Sequence, residues 1–416
     1  MIKKALILLL LCVASALHAA NYLTFTAEED SSSFERNILR CEDSDKEIQY
    51  SLDNGQTWQF LPQGTTIILQ KKGDKALLRR KFFKKSRQVS HSYQPFRKSI
   101  KLHIPTDEPY FIMTGRIAAS GSVMSLVDGT GETDVIPFDY YFVSFFAHCT
   151  SLTQAPELPA KKLTKACYWE MFWGCENLVK APELPAIKLA EYCYKGMFTL
   201  CTNLTQAPQL PAKKLADKCY AEMFVDCIRL TQAPELPATQ LAKKCYAYMF
   251  AYSKSLVQAP QLPATKLMKE CYMSMFEGCN SLTKAPELPA TKLVDECYKS
   301  MFEGCTSLTH APELPATHLQ DGYYINMFKG CTKLSEIRVH FSDWGNPYTV
   351  QSCNFRGIRK IFLDTDDWLD NITTIYQNTS QWLDNVAPTG TFICPKNLPE
   401  EFGRNRIPEG WKIIKN

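Results

Sequence analysis

The stretch "APELPAKKLTKACYWEMFWGCENLVK", residues 155–180, decides the fold, because the chain repeats it. The phrase "AP-E/Q-LPA" begins at Ala155 and returns at Ala181, Ala207, Ala233, Ala259, Ala285 and Ala311, a constant step of 26 residues. The leucine three residues earlier recurs from Leu152 through Leu308, with an eighth copy at Leu334, and "MF" recurs from Met171-Phe172 to Met327-Phe328. Copies in register at this number do not arise by chance. Each unit can be parsed physically. "LTQA" is a short extended run, and Pro156 removes a ladder donor, so a parallel strand should stop near Ala155. "PELPA" is a proline-bounded turn. Leu163, Cys167 and Met171 then stand four apart with Phe172 beside them, which predicts a short helix with one apolar face. Gly174 would close it in the left-handed conformation. Leu200, Asp226 and Tyr252 hold that place in three units and predict a different closure there. Such a unit cannot bury its apolar face alone, so the units must stack.

A period of this length is the signature of a leucine-rich-repeat solenoid. The fold class expected is therefore an α/β leucine-rich-repeat solenoid of short parallel strands plus short helices, preceded by an antiparallel β-sandwich-like domain. The segment "LPATKLVDECYKSMFEGCTSLTHAP", residues 288–312, resembles the BspA-like class of bacterial leucine-rich repeats, whose "aF-x-gC-x-x-L" pattern matches "MFEGCTSL". The likeness covers residues 149–340, just under half of the chain. It implies an exported protein of a bacterial cell surface. Several relatives are adhesins that bind host matrix proteins, and the class has no catalytic residues to carry over. The proline-rich strand exit and the 26-residue unit depart from the commoner pattern, so no ligand identity transfers.

Stacking accounts for the cysteines. One column is Cys149, Cys175, Cys201, Cys227, Cys279, Cys305 and Cys331, with Ser253 in the gap. The other is Cys167, Cys193, Cys219, Cys245, Cys271 and Cys297, ending in Tyr323. An exported chain admits a disulfide framework, and rungs about 4.8 Å apart would allow bridges between neighbours. Ser253 and Tyr323 replace cysteine without a matching loss elsewhere, which favours free buried thiols acting as small hydrophobes. There is no CxxC pair and the seven histidines are scattered, so no metal and no cofactor is expected.

The flanks complete the plan. Residues 1–19 read as a signal peptide, with Lys3 and Lys4 before an apolar core and a small-residue cleavage site. Cys12 lacks the small residue expected before a lipidated cysteine. No later apolar run approaches the roughly 20 residues of a membrane span. The expected location is exported: cell surface, extracellular or periplasmic. Residues 20–112 alternate apolar and polar positions between turn signals and read as the β-domain. Residues 113–148 read as an N-terminal cap with an imperfect first repeat, since Phe146 lies one period before Phe172. Residues 341–416 read as degenerate terminal repeats that cap the other end. Within a net charge of +4, residues 79–101 carry nine Lys/Arg and no Asp/Glu. The plain account is a solvated hairpin; the functional one is contact with an anionic surface through Lys84, Lys85 and Arg87. Nucleic acid is excluded as a partner on the ground of export.

"SLDNGQTW", residues 51–58, matches the sialidase Asp-box pattern, but once only and in too small a β-domain for a propeller. Asn54-Gly55 predicts a type I′ hairpin with Ile48, Tyr50 and Leu52 before the turn and Trp58 and Phe60 after it. Nothing resembles a GxSxG elbow, an HExxH helix or a phosphate loop, and Asp364, Asp366 and Asp367 read as a polar turn. A non-enzymatic recognition protein is expected. Its candidate binding strip is one polar column of Gln154, Lys180, Gln206, Gln232, Gln258, Lys284 and His310, and a second of Glu157, Glu183, Gln209, Glu235, Gln261, Glu287 and Glu313; the plain account of both columns is solubility, since every face not buried must be polar. The competing site lies on the helix positions, at Trp169, Trp173, Glu277 and Glu303. The partner expected is an extracellular or surface protein, of a host or a neighbouring cell. The alternative is a glycan, bound by an exported module of a nutrient-uptake system.

Overall fold

Alternating burial builds the N-terminal strands. In the computed structural model, which describes residues 21–37, 48–81, 110–319, 322–345, 348–351, 373–376 and 378–416, β1 (Leu23–Ala27) lies between β6 (Lys75–Arg80) and β8 (Ile117–Ser120), antiparallel to both. The sheet continues through β3 (Ile48–Ser51) and β4 (Gln59–Phe60) on one side, and on the other β8 pairs in parallel with β9 (Leu152–Gln154). A second sheet places β2 (Ser32–Arg36) between β5 (Thr66–Leu69) and β7 (Phe111–Thr114), all antiparallel. Phe25 of the first sheet meets Phe34 and Phe111 of the second edge to face, at 4.9 and 5.3 Å. Phe25 also touches Phe146, so this core runs directly into the repeats. The expected boundary at residue 112 falls inside β7, and β8 beyond it pairs with β1 of the N-terminal sheet. The expected signal segment, the cluster Lys84, Lys85 and Arg87, and the Asp364–Asp367 turn lie outside the described residues.

The helices expected in the repeats do not form, and the α/β leucine-rich-repeat solenoid is not the architecture found. Among the described residues the only α-helix is the single turn α1, Ser125–Asp128, closed by Gly129 in the left-handed conformation. The repeats after β9 contribute isolated parallel bridges instead of full strands. The reason lies in the backbone of the predicted helix. Ala166, Glu170 and Gly174 all have positive φ, at 52°, 54° and 70°. A left-handed residue at every fourth position breaks any α-helix. The odd-numbered amides close four-residue turns: Trp169 N donates to the Ala166 carbonyl at 3.3 Å and Met171 N to Tyr168 at 3.2 Å. The even-numbered amides leave the unit. Tyr168 N donates to Cys193 O at 3.0 Å, Glu170 N to Lys195 O at 2.8 Å and Phe172 N to Met197 O at 3.0 Å. A helix would send each amide to the carbonyl four residues back within its own segment. Here half of them join neighbouring units, and the segment is a ribbon of linked turns.

This ribbon recurs through the array. Positive φ appears at 192, 196 and 200, at 218, 222 and 226, and so on to 322, 326 and 330. Leu200, Asp226 and Tyr252, expected to close differently from Gly174, adopt the same left-handed conformation at 61°, 55° and 60°. The inward positions stack in register. Phe146, Phe172, Phe198 and their successors to Phe328 form one column with adjacent rings 5.5–5.7 Å apart. Tyr168 through Tyr324 form a second. Leu152 and every equivalent to Leu334 are fully buried.

The array ends on a modified unit. Residues 378–385 supply a last ribbon whose carbonyls accept from Tyr324, Asn326, Phe328 and Gly330, with Gln381 and Asn385 at positive φ. β10 (Glu336–Arg338), β13 (Thr391–Cys394) and β14 (Lys412–Lys415) run parallel to one another, and β11 (Tyr348–Gln351) pairs with β12 (Thr373–Tyr376). Trp382, Trp344, Phe392 and Trp411 are buried over this end, where a further repeat would otherwise sit.

Candidate functional site

The two exposed polar columns follow from the bridge line. Gln154 in β9 pairs with Ala118, and beyond it single parallel bridges join Lys180 to Gln206, Gln232 to Gln258, Gln258 to Lys284 and Lys284 to His310. Pro156 and its equivalents limit this pairing to about one residue per unit, because proline has no amide to donate. Leu152 and Leu158 point inward, and Gln154 and Glu157 point out. All seven positions of each column are exposed: Gln154 through His310, and Glu157, Glu183, Gln209, Glu235, Gln261, Glu287 and Glu313. Every residue of the strip expected from sequence is thus exposed. Where it begins, a groove of about 770 Å³ is lined by Gln154, Pro156, Glu157, Lys180, Pro182 and Glu183. At its far end Glu313 binds His340 at 2.6 Å.

The competing site is more heavily engaged within the chain. Trp169 stacks on Tyr192 at 6.0 Å and carries the Lys195 ammonium over its ring, while Trp173 meets His148 edge to face at 4.3 Å. Glu277 is half-buried and accepts the Tyr252 hydroxyl; burial raises its pKa. Glu303 pairs with Lys329 at 3.2 Å. These side chains tie neighbouring units together, as do Lys165–Glu191, Lys195–Glu222, Lys244–Glu270 and Lys269–Asp295.

The cysteine columns lie inside. All fourteen described cysteines are free and buried, including Cys167, Cys193, Cys219, Cys175, Cys201 and Cys227. Their thiols are pushed up by burial, away from the reactive thiolate form. The two columns differ. Cys175, Cys201 and Cys227 donate to the Phe146, Phe172 and Phe198 carbonyls at 2.9–3.1 Å. Ser253 donates to Phe224 O in the same way at 2.8 Å, which explains why serine stands in that gap.

The Asp-box-like string forms a hairpin, with a longer loop than predicted. Gln49 pairs with Phe60 and Tyr50 with Gln59, so Leu52 and Trp58 lie in the loop. Asn54 and Gly55 have positive φ as expected. Asp53 accepts from the Thr57 hydroxyl at 2.6 Å, the Thr57 amide at 2.9 Å and Ser51 at 2.7 Å. These bonds hold its carboxyl down at about 2, against an ordinary 3.8. Trp58 donates to Gly55 O and lies under the Arg79 guanidinium at 3.9 Å. The carboxylate's bonds to the loop's own hydroxyls and amide give it a fold-local role.

Sequence reading missed a third column. Lys162, Lys188, Lys214, Lys266 and Lys292 occupy one exposed position per unit, on a second line of bridges that joins Lys162 to Lys188 and Lys214 to Gln240. The signal is in the repeat itself: the second residue after "LPA" is lysine in five of the seven units. Among the described residues no helix is long and apolar enough to cross a membrane. Comparison of the chain with protein-family models, with curated proteins and with solved structures finds no match.

Proposed function

We propose that this chain is an exported, cell-surface, non-enzymatic recognition protein that binds an extracellular or surface protein along the strip of Gln154 and Glu157 equivalents. The observation that carries this reading is the unbroken exposure of both columns over seven units, with a groove between Gln154 and Glu183 at one end. The glutamines and glutamates alternate donors and acceptors along a surface too long for a small molecule and suited to an extended partner. The resemblance of "MFEGCTSL" to BspA-like repeats supports the same class of function. Intramolecular pairing at Trp169, Trp173, Glu277 and Glu303 argues for a structural use of the other face.

The experiment is a binding screen of the secreted protein against purified extracellular matrix proteins, run beside an array of neutral glycans. Saturable binding to a protein, with no binding to neutral glycans, is the expected result. Binding to neutral glycans alone would replace this reading with the nutrient-uptake alternative.

A further inference from the structure

The lysine column carries an inference independent of the protein-binding strip. Lys162, Lys188, Lys214, Lys266 and Lys292 are all exposed, and none forms an ion pair with a described carboxylate. The turn-ribbon face supplies the contrast. There Lys165, Lys195, Lys244, Lys269 and Lys329 each hold a carboxylate of a neighbouring unit, and Lys299 holds one of its own unit, within 2.5–3.3 Å. The array can therefore neutralise cations between units, yet along one line it sets like charges opposite one another. The bridge between Lys162 and Lys188 fixes that register. Like charges directly opposite on neighbouring strands destabilise them. The glutamate column, five residues earlier in each unit, reaches none of these ammonium groups.

We propose that this column binds a linear acidic polysaccharide, one bearing a carboxylate or sulfate on every sugar or every second sugar. At the usual strand spacing of about 4.8 Å per unit, the column from Lys162 to Lys292 spans about 24 Å along the array. A stiff chain with regularly repeated anions meets such a line without rearrangement, and ordering it costs little entropy. Lys180 and Lys284 stand apart on the other bridge line. Beside the column stand Thr239, Thr265 and Thr291, exposed hydroxyls suited to sugar hydroxyl groups. Single-stranded nucleic acid is recognised by a basic track interleaved with aromatic platforms, and neither the column nor the residue before it is aromatic in any unit. Gln240 interrupts the cations once and His318 ends the line.

The test measures binding of polygalacturonate, dextran sulfate, neutral dextran and single-stranded DNA to the whole protein. Two variants of equal charge are compared with it. One carries Lys188→Ser, Lys214→Ser, Lys266→Ser and Lys292→Ser; the other carries Lys71→Ser, Lys75→Ser, Lys396→Ser and Lys412→Ser. The unaltered protein should bind the acidic polysaccharides and ignore neutral dextran, more weakly as salt rises. The column variant should lose about tenfold or more in affinity and the control variant no more than about twofold, as expected for several exposed charge contacts. Affinity should climb with oligosaccharide length until the chain covers about 24 Å and then level off, a readout that needs no variant. Equal loss in both variants, DNA bound as tightly as polysaccharide, or affinity indifferent to length would each overturn the proposal. So would salt-dependent dimerisation through the column with no polysaccharide bound. The strip residues are intact in both variants, so failure here leaves the protein-binding reading standing.

Discussion

At the scale of single residues, the left-handed positions are the most telling. Leu200 stands where four other units have glycine, at φ 61°. A side chain in that conformation costs about 1–2 kcal/mol, and glycine forfeits about 0.5–1 kcal/mol of it through a freer unfolded chain. Leu200→Gly should therefore stabilise the protein by about 0.5–1 kcal/mol in denaturant unfolding. A loss of stability would mean that packing of the Leu200 side chain outweighs the cost of its backbone conformation. Gly278 lies at the opposite extreme. A Cβ there would come within 2.5 Å of the Tyr252 ring, so Gly278→Ala should destabilise. The cysteines divide as their hydrogen bonds do. Cys227→Ser should be nearly neutral, because Ser253 already makes the equivalent bond. Cys219→Ala should cost about 1–2 kcal/mol as a small cavity. Alkylation of the denatured, unreduced protein should label all fourteen described cysteines; blocked thiols would mean crosslinks. Asp53 gives a pH signature. Its carboxyl is depressed to about 2, so its contribution to the hairpin is complete above its unfolded value near 3.8 and is lost as pH falls through 2. Carboxyl NMR should show it titrating at the low value, and titration near 3.8 would contradict the bonds from Thr57 and Ser51.

At the scale of elements, the sequence was legible in its long period and misleading in its short one. The 26-residue repeat, the buried leucines, the exposed strip and the stop at Pro156 all appear where the pattern places them. Cys167, Met171 and Cys175 stand four apart, and that spacing suits one face of a helix almost as well as a ribbon that turns every four residues. A helix drifts by 3.6 residues per turn and would have carried the apolar set around its axis over three turns. The strict fours, with Tyr168 and Phe172 following the same count, belonged to the ribbon. The left-handed residues could not be read from composition, since Ala166, Glu170, Tyr192 and Lys218 give no sign of positive φ. Their conformation is enforced by the neighbouring unit, whose carbonyls take the even-numbered amides. Far-ultraviolet circular dichroism should accordingly lack the double minimum of a helical repeat protein. A strong helical spectrum would refute the ribbon.

At the scale of the whole molecule, the array is continuous from the N-terminal sheets to the Trp382 cap. Phe25 touches Phe146, the phenylalanine and tyrosine columns run the length of the repeats, and Tyr324 meets Trp382 at 6.2 Å. Each unit contacts its neighbours, so a defect at an end exposes the apolar face of the unit beneath. Trp382→Ala should cost about 3–5 kcal/mol and loosen the last units first, visible as early hydrogen exchange at Phe328 and Gly330. The same continuity sets the exposed polar strip along the array. The central claim is that this strip carries recognition, and one paired comparison tests it. One variant reverses Glu235, Glu287 and Glu313 to Lys; the other replaces Trp169 and Trp173 with Ser. With both folded by circular dichroism, and with the matrix protein found in the binding screen as ligand, affinity should fall by at least about tenfold in the first, as rim charges of one sign become repulsive, and survive in the second. Binding kept by the charge-reversed strip and lost with the tryptophans would contradict the account and move the site to the turn-ribbon face.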